Sequence, residues 1–155
     1  MRPGRPPGAS DTRFRLHNRR VISAPLARAL RDSGLVWHPA AGDAFLIDLV
    51  EVDDEVFYLS DMTVEAHTLI TGTELGFNGT TEWALDSVAI DDALWLPSET
   101  QLRALLGRSF RSLESLAAVA RVSAQIDGTI LGFEAELAED AYARALLALL
   151  DAVST

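Results

Sequence analysis

The chain has 155 residues, 48% of them apolar, with no cysteine; one domain with an ordinary core follows, and disulfides, thiolate metal sites and a cysteine nucleophile are excluded. All 13 basic residues are arginine, which also removes Schiff-base lysines, lysine general bases and the phosphate-gripping lysine of a P-loop. The net charge of -10 is segregated: residues 1–31 carry eight Arg against Asp11, residues 32–102 carry fifteen acids and no Arg, and residues 103–155 carry five Arg and seven acids, so the middle of the chain repels nucleic acid.

Residues 1–20, MRPGRPPGASDTRFRLHNRR, hold six arginines and, Met1 aside, only Phe14 and Leu16 as large apolar groups. Such a segment buries too little to offset its ordering entropy and reads as a disordered arm, a tether for nucleic acid or an acidic partner at most. It has no hydrophobic stretch behind its arginines, so it does not read as a secretory signal, and a cytoplasmic protein is expected. A single domain over residues 21–155 should follow. Its first element is a short amphipathic helix starting at Ser23 or Ala24, with Pro25 in the first turn, Leu26, Ala29 and Leu30 as its stripe, and Gly34 at its end.

After the turn WHPAAGD come runs at 44–50, 55–60, 63–70 and 73–77, rich in β-branched and aromatic residues and separated by turn chemistry. These predict an antiparallel meander. Residues 83–90 and 93–96 read as a further strand pair around Asp91-Asp92. Pro97 stops that strand, and SETQ then predicts a capping box on a second helix, with Leu102, Leu105 and Leu106 inward and Gly107 at its end. VARVSAQI-DG-TILGFEA is a two-residue hairpin signal whose register sets Ala124 against Leu131, Val122 against Phe133 and Arg121 against Glu134. The last segment, EDAYARALLALLDAV, predicts a third helix with Tyr142, Leu146, Leu149, Leu150 and Val153 on one face, and Glu139 and Asp140 at the positive end of its dipole. ALLALL at 145–150 is bracketed by Arg144 and Asp151 and is too short to span a bilayer, so no membrane association is expected. The fold class is α+β: a mainly antiparallel sheet, meander plus C-terminal hairpin, with three helices.

Signatures of catalysis are missing: no G-x-S-x-G elbow, G-x-G-x-x-G, H-E-x-x-H or Walker motif occurs, and no cofactor is implied. If Thr71-Gly72 turns the strand TVEAHTLI back into TELGF, then Ala66 faces Phe77 in the core, while His67 meets Gly76 and Glu65 meets Asn78 on the other face. A metal reading takes Asp61, Glu65 and His67 as ligands of a divalent ion that activates water for hydrolysis. The stretch GFNGTTEW offers instead a recognition loop, with Asn78, Thr80, Glu82 and Trp83 meeting a protein or small polar ligand at the acidic face. Trp37, Trp83 and Trp95 read first as core anchors, Trp83 becoming a binding hot spot if it is exposed beside the polar cluster; His38 reads as a turn residue, and EVDDE at 51–55 as a solvated acidic turn.

The segments LARALRDSGLVWHPAAGD, VFYLSDMTVE, GFNGTTEWALDSV, WLPSETQLRALLG and DAYARALLALL together resemble short uncharacterised proteins of high-GC bacteria that carry the label pilus assembly protein CpaE. The resemblance spans about residues 22–150 and implies no catalytic residue. CpaE proteins proper are similar to MinD and ParA ATPases, whose P-loop lysines hold phosphate; a chain without lysine cannot work that way. The sequence therefore points to a non-enzymatic binding or regulatory module.

Overall fold

The computed structural model describes residues 21–49, 56–59, 64–69, 72–77 and 87–155, those between 64 and 90 by their backbone alone. Helix α1 (Ala24–Asp32) begins as predicted, with Pro25 in the first turn, where the backbone N–H it lacks would have no partner anyway. Its end is a Schellman motif: the Gly34 N–H donates to the Arg31 carbonyl and the Leu35 N–H to the Leu30 carbonyl, with Gly34 at φ +96°. Ala27 and Leu30 are its buried residues. The Ser23 N–H donates to Asp140 at 2.8 Å, which pins the start of α1 to the third helix.

Strands β1 (Ala44–Ile47), β2 (Phe57–Tyr58), β3 (Val64–Leu69), β4 (Gly72–Phe77), β5 (Ser87–Ala89) and β6 (Ala93–Leu96) form two antiparallel sheets, not the single meander predicted. β1 lies between β2 and β6, and β4 lies between β3 and β5. The division has a physical reason. β2 is only two residues long, whereas β6 pairs with all four residues of β1, from Ala44↔Leu96 to Ile47↔Ala93, and takes its other edge. The strand pair predicted around Asp91-Asp92 is also corrected: a 3-10 turn at Ile90–Asp92 carries the chain from β5 in one sheet to β6 in the other.

The cap of α2 (Glu99–Leu106) is the predicted box, the Ser98 side chain accepting from the Gln101 N–H while Gln101 accepts from the Ser98 N–H. Leu102 and Leu106 are buried, but Leu105 is exposed, because the short helix turns only one narrow stripe inward. A third sheet follows, β7 (Phe110–Leu116), β8 (Val119–Ile126) and β9 (Thr129–Ala135). The β8–β9 register is the predicted one, residue for residue, around a turn with Asp127 and Gly128 at positive φ. β7 is an addition to the predicted hairpin. Helix α3 (Ala138–Val153) packs against β8, β9, α2 and α1. Tyr142 and Leu146 are buried on it and Val153 is exposed, and Glu139, in the first turn as expected, is 1% exposed with Oε2 lacking a hydrogen-bond partner among the described residues.

The architecture is α+β. The main core gathers Leu30 of α1, Leu46 of β1, Leu94 and Leu96 of β6, Leu102 of α2, Val122 of β8 and Leu146 of α3. A second cluster of Phe45, Ile47, Leu59 and Ala93, with Trp37 and Phe57 against it, covers the opposite face of β1. That is why AFLI reads as a continuous apolar run rather than an alternation.

Candidate functional site

The turn after α1 brings Trp37 back over β1, and Asp43 fixes it there. The Asp43 carboxylate is 4% exposed and accepts from Trp37 Nε1 at 2.9 Å, from the Ala40 N–H at 3.0 Å and from Gln101 Nε2 at 2.6 Å. Its backbone is equally committed: Asp43 N–H donates to the Ala40 carbonyl and the Asp43 carbonyl accepts from Leu59. A buried carboxylate is tolerated only when hydrogen-bonded this fully. Asp43 thus ties the Trp37 turn, β1 and the α2 cap together, and it stands outside the residues that sequence reasoning singled out. WHPAAGD marked a turn, but the Gln101 partner lies 58 residues away, beyond any local signal.

Held this way, Trp37 stacks on Trp95 with ring centroids 6.4 Å apart and planes 9° from parallel, and lies tilted at 5.7 Å from Phe45. Both indoles line a cleft of about 240 Å³ between α1 and β6, which Leu30, Arg31, Val36 and Asp91 complete. The Trp95 Nε1 donor is buried beside it without an acceptor among the described residues. At the rim Arg31 donates to Asp48 at 2.8 Å and to Asp32 at 3.2 Å, and Arg28 donates to Asp48 at 3.0 Å. The hydrogen bonds from Arg28 and then Arg31 hold the Asp48 carboxyl below the ordinary aspartate range. Arg31 and Asp91 are the charged residues that line the cleft, and Asp32 and Asp48 are bound to Arg31 beside it. A more open cavity of about 380 Å³, walled by Tyr58, Ser98 and Gln101, lies on the other side of Asp43, whose acceptors are already engaged.

Of the residues proposed from sequence, Asp61, Asn78, Thr80, Glu82 and Trp83 lie outside the described residues, as does the acidic run 51–55. Glu65 and His67 lie on β3, in a register that differs from the predicted one: Glu65 pairs with Gly76, and His67 pairs with Glu74. Gly72 enters the ladder opposite Leu69 instead of forming the turn, which slides the pairing by two residues. A two-residue slide keeps the alternation of positions along both strands, so positions 65 and 67 still share a face, now with position 74. Among the residues with described side chains, no three His, Asp or Glu are grouped as metal ligands. Trp37 packs partly buried against the second cluster as predicted, Trp95 is half-buried and lies outside both clusters, and His38 is an exposed turn residue. No described helix is long and apolar enough to cross a membrane. Compared with family models, curated proteins and solved structures, the chain has no significant match.

Proposed function

We propose that the chain is a cytoplasmic, non-enzymatic binding module that receives one planar side chain of a basic protein segment on the Trp37–Trp95 pair. The observation that carries this reading is the stacked indole pair, anchored through Asp43 and opening into the cleft. Its volume of about 240 Å³ falls below the roughly 300–1,000 Å³ of pockets for drug-sized ligands, and so suits a single side chain. The fifteen acids of residues 32–102 favour arginines flanking that side chain by charge, and the indoles favour them by cation–π attraction. The sequence expectation of a recognition loop with Asn78, Thr80, Glu82 and Trp83 falls outside the described residues and is kept as a separate binding element of this reading. The test follows the indole N–H signals of the full chain by NMR during titration with the peptide acetyl-Arg-Phe-Arg-Leu-amide and its Glu-Phe-Glu-Leu counterpart. The Trp37 and Trp95 signals should move with the basic peptide only; if neither moves at millimolar peptide, the cleft reading fails.

One observation favours a second reading, a divalent-metal-assisted hydrolase. The β3–β4 register sets Glu74 directly opposite His67, with Glu65 two positions along on the same face, and a carboxylate–imidazole set of this kind suits a hard or borderline ion. Thermal unfolding in EDTA and then with Mg, Mn, Ca or Zn decides it. An ion at about 100 times its dissociation constant adds roughly 2.7 kcal/mol, which should appear in the natural chain and vanish in His67→Ala; no shift with any ion removes this reading.

A further inference from the structure

The two edges of the β7–β8–β9 sheet are built differently. β7 breaks its pairing with an irregularity between Phe110 and Ser112 and carries Arg111 and Glu114, both devices that discourage another strand from adding. β9 carries no charge from Thr129 to Phe133, pairs with no described strand but β8, and leaves Ile130 62% and Leu131 41% exposed.

The hairpin fixes which backbone groups of β9 are unused. Asp127 and Gly128, both at positive φ, form a two-residue turn closed by the pair Ile126↔Thr129. Such a turn makes its closing pair a hydrogen-bonded one, and hydrogen-bonded pairs then alternate along the ladder. Thr129, Leu131, Phe133 and Ala135 therefore bond to β8, while the N–H and carbonyl groups of Ile130, Gly132 and Glu134 point outward. Consistently, the Glu134 carbonyl is free to accept from Arg144 Nη1 at 2.6 Å, and a second lone pair remains on it.

We propose that β9 is a self-pairing edge: two copies of the chain join antiparallel along Thr129–Ala135, about a twofold axis at Gly132, into one continuous six-stranded sheet. The occupant is a second copy because the strand is complementary to itself in that register. Gly132 meets Gly132 at the axis, where both can exchange their outward N–H and carbonyl groups at close range. Leu131 falls opposite Phe133 of the second copy, twice, so apolar meets apolar on the α3 face. On the other face Ile130 falls opposite Glu134, whose charge is paired within its own chain with Arg121, and no two like charges come face to face. All seven residues of the strand are used, and the contact is isologous and closes on itself.

Sedimentation of the full chain tests this at about 100 µM, where micromolar association is nearly complete. The natural protein should sediment at twice the 16.8 kDa of one chain. Gly132→Pro removes only an outward N–H and leaves the β8 ladder whole, and Leu131→Lys sets a charge opposite Phe133 with the backbone intact; each should sediment as a monomer. Leu131→Lys alone decides the matter if the proline variant does not fold. A natural chain that is monomeric at this concentration overturns the proposal, and so does a dimer that Leu131→Lys leaves intact.

Discussion

Two tryptophans in one stack differ in a single hydrogen bond. Trp37 Nε1 donates to the buried Asp43 carboxylate at 2.9 Å, whereas Trp95 Nε1 is buried with no acceptor among the described residues. Replacing either indole by phenyl removes a similar ring area, so the difference between the two variants reports the hydrogen bond. Trp37→Phe leaves a buried carboxylate short of a donor and should cost about 2 kcal/mol more than Trp95→Phe, which relieves an unsatisfied N–H. Urea unfolding of the two variants against the natural chain measures this; equal losses would show that Asp43 does not select the orientation of Trp37. Asp48 answers to pH in a similarly local way. Its carboxyl is held below the ordinary range by Arg28 and Arg31, so the folded chain binds its proton less readily than the unfolded chain. The resulting stability is complete above the unfolded value, near pH 4, and is lost as pH falls through the folded one. Arg31 is 42% exposed on its side chain, and screening limits the pair to about 1 kcal/mol. Asp48→Asn should accordingly be less stable than the natural chain at pH 7, and the gap should narrow as pH falls below the ordinary aspartate range.

Among the elements, those with local chemistry were legible in the sequence and those with distant partners were not. Ser98 and Gln101, three residues apart, announce their own cap, and Asp127-Gly128 announces a turn whose register then follows by counting. The choice between one meander and two sheets depends on β6 taking the free edge of β1, about 50 residues away in sequence, and no local pattern encodes it. β7 was missed because its exposed residues give a weak alternation, with Arg111, Ser112, Glu114 and Ser115 diluting the apolar positions. The Trp37–Trp95 cleft was legible only as two anchoring aromatics, since its geometry rests on the link between Gln101 and Asp43. That link makes the α2 cap unusual in its energetics. Ser98→Ala should cost about 1 kcal/mol, the ordinary value for a lost N-cap. Gln101→Ala breaks the same box and also strips a donor from Asp43, so it should cost about 2–3 kcal/mol. Thermal midpoints separate the two by several degrees; equal losses would mean that the cap stands apart from the Asp43 network.

For the molecule as a whole, the separation of charge along the chain outweighs any single ion pair. Six of the 13 arginines lie in residues 1–20, ahead of a segment with fifteen acids and no arginine or lysine. Without their charge the chain keeps seven arginines against 23 acids, and the self-repulsion of the folded domain rises. Long-range attraction of this kind needs no fixed geometry, but it acts only within a Debye length, roughly 10 Å at 0.1 M salt and 3 Å at 1 M. Replacing all six by glutamine keeps the length of the arm and removes only its charge. The variant should unfold earlier than the natural chain at about 20 mM salt, by roughly 0.5 kcal/mol or 1–2 °C, and the gap should close as salt approaches about 1 M. A gap that persists at high salt would mean that the arginines make specific short-range contacts with the domain. No gap at low salt would mean that the arm lies beyond the field of the acidic segment, leaving its arginines available to an external acidic partner.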